Sequence, residues 1–224
     1  MSDIPVVTID GPSGSGKGTV GRRIAAAHGW HFLDSGALYR ILAHEALRQG
    51  VPLDDADALA RLAGTLRIGF PSDSDAILVD GRDVSRDIRS EAAGEAASKV
   101  AALPEVREAL LALQRGFRQP PGLVADGRDM GTVVFPDAPV KVFLDASAET
   151  RAERRCKQLE EKGIPADYDA ILADIRQRDE RDRNRPVAPL RPAPDARALD
   201  STGQDPEATV AAVEALIRER LGDV

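Results

Sequence analysis

Residues 11–19 read "GPSGSGKGT", and this stretch decides the fold. It nearly fits the phosphate-loop pattern G-x-x-x-x-G-K-[ST], with both glycines and Lys17 in place. The next position normally carries a hydroxyl that helps to hold Mg²⁺. Here it is Gly18, and the hydroxyl follows one residue later as Thr19. Three interpretations are open: an impaired phosphate loop, a chance glycine-rich turn, and a different class of phosphate loop.

The flanking segments argue against a chance turn. The apolar run "IPVVTID" (4–10) predicts a buried parallel strand, and "KGTVGRRIAAAHG" (17–29) predicts a helix with Val20, Ile24 and Ala27 at helical spacing. Strand, glycine turn and helix occur in the order that phosphate binding requires. Backbone N–H groups, the helix N-terminus and Lys17 would then converge on an anion. Since Gly18 cannot bind a metal, Mg²⁺ would be held by ATP oxygens and water, with Thr19 as an optional further ligand.

Four more short strands follow along the chain, and the intervening segments are helical. They are "HFLD" (31–34), "GLVAD" (122–126), "VKVFLD" (140–145) and "ARALD" (196–200). This alternation predicts an α/β fold with a doubly wound, five-stranded parallel sheet.

Two further patterns stand apart from this alternation. The runs "LRIGF" (66–70) and "AILVDGRDV" (76–84), with "PSDSD" between them and an Asp80-Gly81 turn, predict a small inserted antiparallel sheet. The segments 147–163 and 167–184 predict two strongly charged helices.

The composition limits the classes of function. Hydrophobic residues make up 42% of the 224 positions and charged residues 30%, which favours a packed, soluble domain. We expect no membrane span and no secretory signal, since no apolar run approaches the ~20 residues that a span needs. The lone Cys156 excludes an internal disulfide and favours the cytoplasm. The net charge of −7 argues against a general nucleic-acid binder.

Two motifs follow predicted strands at the sheet edge where ligands bind in open α/β folds. In "DSGALYR" (34–40), Ser35 and Arg40 suit either an anion site or an ordinary helix cap with a solvated arginine. In "DGRD" (126–129), Arg128 and Asp129 suit a nucleotide phosphate and a base or ribose, or form a simple loop ion pair. The earlier "DGRD" at 80–83 is interpreted as a hairpin turn.

A fourth motif is the arginine-rich segment "IRQRDERDRNR" (175–185). If the helix continues through it, Arg178, Arg181, Asp182 and Arg185 share one face. Three arginines around one aspartate favour a bridging anion, although charged runs are usually solvated. With a phosphate loop in the same chain, an arginine lid over transferring phosphates is the better interpretation.

No catalytic base stands out in the sequence. His28, His31 and His44 are scattered and show neither a triad nor metal-ligand spacing. A phosphate acceptor needs no base, because its second pKa is ~6 and it is mostly dianionic at pH 7.

Taken together, the blocks "IDGPSGSGKGT" (9–19), "LDSGALYR" (33–40), "ADGRDMGTVVFPDAPVKVFLDAS" (125–147) and "RDERDRNRPVAPL" (178–190) closely resemble the bacterial cytidylate kinases. The resemblance extends from about residue 6 to residue 221. The G-K-G-T ending of the loop resembles nucleoside monophosphate kinases rather than GTPases. Relatives often carry Ala where this chain has Ser15.

This resemblance implies a monomeric enzyme that phosphorylates CMP and dCMP from ATP with Mg²⁺, without nucleic-acid or membrane partners. It also implies one phosphate-loop kinase domain over 1–224, an inserted NMP-binding subdomain over 62–98 and a helical arginine-rich lid over 148–186. Two alternatives stay open: a kinase for another monophosphate such as UMP, and a non-catalytic nucleotide-binding switch. Gly18 argues against the switch, which would need the hydroxyl to couple Mg²⁺ to moving loops.

The resemblance also implies roles for individual residues. ATP would contact Gly11, Pro12, Ser13, Gly14, Ser15, Gly16, Lys17, Gly18 and Thr19. CMP would contact Ser35, Arg40, Ser98, Arg107, Arg128, Asp129, Arg178 and Asp182. The catalytic residues would be Lys17, Arg128, Arg178 and Arg185, and no protein side chain is assigned to the metal.

Overall fold

Strands and helices alternate along most of the chain. The computed structural model describes residues 4–69, 76–161 and 163–222. The elements are β1 (Val6–Asp10), α1 (Lys17–His28), β2 (His31–Asp34), α2 (Ser35–Gln49), α3 (Ala56–Thr65), β3 (Ile68–Gly69), β4 (Leu78–Val79), β5 (Arg82–Asp83), α4 (Glu91–Val100), α5 (Pro104–Gly116), β6 (Leu123–Gly127), β7 (Val140–Asp145), α6 (Ala148–Glu160), α7 (Tyr168–Asn184), β8 (Arg197–Asp200) and α8 (Pro206–Leu221). The five predicted core strands are all confirmed.

The larger sheet is parallel, with the strand order β2-β6-β1-β7-β8. Strand β1 lies at its centre, and all five of its residues are buried. This agrees with the apolar run in the sequence, because a parallel sheet is covered on both faces. The α/β prediction with a doubly wound five-stranded sheet is therefore confirmed.

Helices α1 and α8 contribute to the core of the unit formed by Met1–Asp34 and Arg115–Val224. Val20 and Ile24 of α1 are buried as predicted, but Ala27 is exposed and Ala25 is buried in its place. The helical period sets the spacing of the buried positions along α1. The rotation of the helix about its own axis decides whether Ala25 or Ala27 faces the sheet.

The second unit, Ser35–Gln114, contains the predicted antiparallel sheet, which has three short strands in the order β3-β4-β5. Asp80 and Gly81 both have positive φ, 49° and 79°, as a tight two-residue hairpin turn requires. The first "DGRD" is therefore a turn, as predicted. Phe70 and the predicted turn "PSDSD" (71–75) lie outside the described residues.

The small sheet belongs to the core of this second unit. Val79, Val84 and Ile88 are buried in one cluster with Ala37 and Ile41 of helix α2. An ionic contact supports the same packing, because the fully buried Glu45 of α2 accepts a hydrogen bond from Arg82 Nη2 at 3.2 Å.

Among the described residues, no helix is both long and apolar enough to cross a membrane.

Candidate functional site

The phosphate-loop sequence joins β1 to α1, and its glycines have the conformations that the motif requires. Gly14 and Gly16 have φ of 80° and 96°, in the left-handed region that favours glycine. At Gly11 a Cβ atom would lie 2.0 Å from the carbonyl oxygen of Leu144 in β7, so only glycine fits there. The loop consequently lies against the carboxyl end of the parallel sheet and leads directly into the N-terminus of α1.

Lys17 curls back over this loop. Its Nζ donates a hydrogen bond to the carbonyl oxygen of Pro12 at 2.7 Å, and the side chain is only 6% exposed. Burial lowers the pKa of Lys17, while the carboxylate of Asp126, 3.9 Å from Nζ, opposes that change. A bound phosphate would supply the negative charge that a buried ammonium needs.

Asp126 was not among the predicted site residues, although it belongs to the quoted "DGRD". It lies in β6, the strand that pairs with β1, and is 14% exposed. A Cβ at Gly18 would lie 3.4 Å from Asp126 Oδ2, so the residue that lacks the hydroxyl stands beside a carboxylate. The sequence signal was a carboxylate near the carboxyl end of a core strand next to the phosphate-loop strand. Open α/β folds bind ligands at that edge of the sheet.

Among the described residues, no group of three or more His, Cys, Asp or Glu side chains could hold a metal ion. Asp126 nevertheless suits Mg²⁺, which prefers one or two carboxylates and otherwise keeps water and substrate phosphate as ligands. Thr19, whose side chain is exposed in the first turn of α1, adds a hydroxyl on the same helix end.

The predicted residues Arg128 and Asp182 form an ion pair 54 positions apart in sequence. Arg128 Nε donates to a carboxylate oxygen of Asp182, which is only 4% exposed. Burial would raise the pKa of Asp182, but the charges of Arg128, Arg185 and Arg178 hold it below its ordinary value. Burial likewise opposes the charge of Arg128, but the carboxylates of Asp182, Asp126 and Asp34 together more than offset this, so the pKa of Arg128 is raised.

The arrangement of these arginines differs from the predicted helix face. Helix α7 ends at Asn184, so Arg185 is the residue that caps it and has extended backbone. Its Nε donates to the carbonyl oxygen of Ala188. The helix ends here because Pro186 follows, and a residue before proline is disfavoured in the helical region. The arginines whose charges act on Asp182 include Arg128, which is not on α7 but directly follows strand β6.

A second buried ion pair joins helices α6 and α7 and also contacts the phosphate loop. Arg151 Nη1 donates to Asp179 Oδ1 at 3.0 Å and to the carbonyl oxygen of Ser13 at 3.1 Å. The residue before Asp179 on α7, Arg178, donates to Ser13 Oγ at 3.2 Å. Neither Arg151 nor Asp179 was predicted, because in sequence they look like any residues of a solvated charged helix.

A cavity of about 1100 Å³ opens beside this ion pair. Its lining includes Phe143 and Asp145 of β7, Arg151 and Asp179 of the two helices, and Leu199 of β8. It therefore lies at the carboxyl edge of the sheet, next to a residue that contacts the phosphate loop.

Four further predicted residues belong to the unit Ser35–Gln114. Ser35 is buried at the start of α2, Arg40 is half-buried further along the same helix, and Ser98 is half-buried on α4. Arg107 of α5 is 8% exposed and donates to the carbonyl oxygen of Ala101 at 3.1 Å. Its guanidinium carbon lies 5.8 Å from the centre of the Tyr39 ring, so helix α2 and the C-terminal end of α4 contact it from two sides.

Comparison with known proteins gives matches over almost the whole chain. The protein family described as cytidylate kinase matches residues 7–219. A cytidylate kinase of Aeromonas salmonicida (strain A449) is 58% identical over 221 residues, which cover 98% of this chain and 96% of that protein. Cytidylate kinases of Bordetella bronchiseptica and Klebsiella pneumoniae (strain 342) are 58% and 54% identical, covering 93% and 98% of this chain and 93% and 98% of their own lengths.

Proposed function

The chain belongs to the cytidylate kinase family, and we propose that it transfers the γ-phosphoryl group of ATP to CMP and dCMP. The observation that carries this proposal is the family match over residues 7–219, since a phosphate loop by itself occurs in many nucleotide-binding proteins. The geometry supports it: a buried lysine on the loop and an arginine–aspartate cluster lie at one edge of the sheet.

The proposed reaction needs no catalytic base. An oxygen of the CMP phosphate attacks the γ-phosphorus of ATP in line, a new P–O bond forms, and the bond between the γ-phosphorus and the β,γ-bridging oxygen breaks. The products are CDP, or dCDP, and ADP. The acceptor is already dianionic near neutral pH, so the work of the protein is to align and neutralise two polyanions.

The chain's own residues would divide this work. Lys17 and the loop would hold the donor phosphates, and Arg128, Arg178 and Arg185 would neutralise the charge on the transferring group. The cavity beside Arg151 is the proposed place of the donor base. The acceptor residues are proposed on the basis of the resemblance, and they are Ser35, Arg40, Ser98, Arg107, Arg128, Asp129, Arg178 and Asp182. The NMP-binding subdomain over 62–98 and the lid over 148–186 are proposed on the same basis.

Mg²⁺ is the proposed cofactor. Asp126 and Thr19 would hold it, directly or through water, and the ion would supply positive charge to the oxygens of the donor phosphates. Gly18 is compatible with this, because the neighbouring Asp126 provides an oxygen ligand where the usual loop hydroxyl is missing.

The decisive experiment is a panel of acceptors. The purified protein is given ATP and Mg²⁺ together with CMP, dCMP, UMP, AMP or GMP, and ADP release is followed by a coupled assay. We expect CMP and dCMP to have the highest kcat/KM. A higher value for UMP would change the assigned base, and nucleotide binding without transfer to any monophosphate would indicate a switch instead.

We further propose that the protein is a monomer in the cytoplasm. The single cysteine among 224 residues suits a reducing compartment, where structural disulfides are rare.

A further inference from the structure

Asp10 ends β1 immediately before the phosphate loop, and its carboxylate contacts a different loop. Oδ1 accepts a hydrogen bond from the backbone N–H of Met130 at 2.8 Å, and Oδ2 accepts one from Gly131 at 2.8 Å. Those two residues directly follow Arg128 and Asp129. One side chain thus connects the start of the phosphate loop to the loop that carries two proposed acceptor residues.

This double contact requires a carboxylate. An ionised carboxylate offers acceptor positions on both oxygens, whereas an asparagine of the same shape offers one acceptor and places an N–H donor where the second should be. The position of the Gly131 amide is equally restrictive. A Cβ there would lie 2.9 Å from Thr8 Oγ1 and 3.2 Å from Lys141 Cδ, so only glycine brings its N–H this close.

The buried position of Asp10 disfavours its ionised form. Asp10 is 3% exposed, and burial raises its pKa to about 7. The charge of Asp129 adds to this rise, while the two amides and the charge of Lys17 act against it. Ionising Asp10 therefore lowers the stability of the fold, so keeping a carboxylate at this position calls for another reason.

We propose that Asp10 is a positioning residue, which holds the Arg128–Asp129 loop in a fixed place relative to the phosphate loop. This rests on the proposed function, in which the phosphate loop holds the donor while Arg128 and Asp129 hold the acceptor. Asp10 then sets how donor and acceptor are aligned, without touching either of them. Misplacement by ~1 Å is enough to lower the rate of such a transfer about a hundredfold.

The test compares Asp10→Asn with Thr8→Val. Thr8 lies two residues earlier on the same face of β1, is fully buried, and its Oγ1 has no hydrogen-bond partner among the described residues. We expect Asp10→Asn to raise the KM for CMP and lower kcat, with a loss in kcat/KM of about a hundredfold. The KM for ATP should stay close to wild type, and Thr8→Val should change neither constant.

A second variant reaches the same contact from the other side. Gly131→Ala pushes the amide away from Asp10 through the clash with Thr8 and should show the same CMP-selective loss. NMR adds a readout independent of activity: the Asp10 carboxyl carbon and the Met130 and Gly131 amide protons of the wild type should titrate with one midpoint.

The proposal is overturned if either folded variant has a wild-type KM for CMP or raises the KM of both nucleotides equally. The proposal is also overturned if the chemical shifts of the Met130 and Gly131 amide protons do not change as Asp10 titrates. Loss of the fold in both variants would assign Asp10 to stability alone and overturn it as well. The wild type is assayed first: no transfer to CMP contradicts the proposed function, whereas an active wild type beside equally active variants contradicts only the role of Asp10.

Discussion

The ammonium group of Lys17 is buried, and burial opposes its positive charge. Its Nζ has a carbonyl oxygen at 2.7 Å and a carboxylate at 3.9 Å, neither of which is a close ion pair. An ammonium in such a position is prepared for an anion that arrives with the substrate. The pattern of the loop predicted this role from the sequence, but the neighbouring Asp126 became apparent only when the strands were assembled.

The first prediction concerns the loss of this charge. Lys17→Ala should lower kcat by about a hundredfold or more, because it removes a preorganised charge aimed at the transferring phosphates. Arg185→Ala, which removes a buried guanidinium, should have a similar effect. Lys157→Ala, at an exposed position on α6, is the control. Steady-state kinetics and circular dichroism measure the outcome, and near-normal turnover of a folded Lys17 or Arg185 variant would contradict the assignment.

The second prediction concerns Asp10 and pH. Its pKa is raised from 3.8 to about 7 by burial, so between these values the native state binds more protons than the unfolded state. The contribution of Asp10 to stability therefore falls as the pH rises through this window and becomes constant above it.

Urea unfolding of wild type and Asp10→Asn at several pH values tests this. Between pH ~5 and ~6 the free energy of unfolding of the wild type should fall relative to the variant by about 1.4 kcal/mol per pH unit, and the slope should flatten through pH ~7. Thr8→Val should keep the wild-type slope. Parallel curves for wild type and Asp10→Asn would show that the carboxyl is not perturbed.

Among the described residues, two of the ion pairs between helices α6 and α7 differ in how deeply they are buried. Arg151 and Asp179 are 2% and 7% exposed at their side chains, whereas Arg176 and Glu149 are 61% and 50% exposed. Only the buried pair also contacts the phosphate loop, through the carbonyl oxygen of Ser13. The two pairs look alike in sequence, and burial alone separates them.

The third prediction compares these pairs. Asp179→Ala leaves the Arg151 guanidinium buried without its carboxylate and should reduce the free energy of unfolding by about 3–5 kcal/mol. Glu149→Ala removes an exposed pair with an N–O distance of 2.7 Å and should cost less than ~1 kcal/mol. Urea denaturation measures both, and equal losses would contradict the prediction that burial makes the loss of Asp179 the more costly one.

The whole molecule is acidic, yet its motifs concentrate arginine. The net charge is −7, and the arginine-rich segment 175–185 alone contains five arginines. The negative net charge argues against polyanion binding in general. We therefore expect the arginines to act at local sites, where the fold pairs them with buried aspartates, as with Arg128 and Asp182.

The fourth prediction concerns assembly. The exposed large apolar side chains of the described residues are spread over several elements, from Leu47 of α2 to Tyr168 of α7. Isolated exposed apolar residues are normal for a monomer. Light scattering after size exclusion should therefore give a mass near the chain's 23.9 kDa. A mass near twice that value would contradict the proposed monomer.

Local sequence determined the elements of this protein and the nature of its loop. Apolar runs of four to six residues marked the five parallel strands, glycines that tolerate positive φ marked the phosphate loop, and Asp80-Gly81 marked the hairpin. These features depend on neighbours within a few residues. The same patterns, quoted as blocks, were specific enough to indicate the family.

Tertiary structure decided which charges meet. Asp10 reaches the Met130 amide over 120 positions, Arg128 reaches Asp182 over 54, and Arg151 reaches Ser13 over 138. These partners are set by the order in which the strands lie in the sheet, and no local pattern encodes that order. Burial also depends on tertiary structure, because only the packed molecule excludes solvent. It distinguishes the buried Asp179 from the exposed Glu149, and it raises the pKa of Asp10.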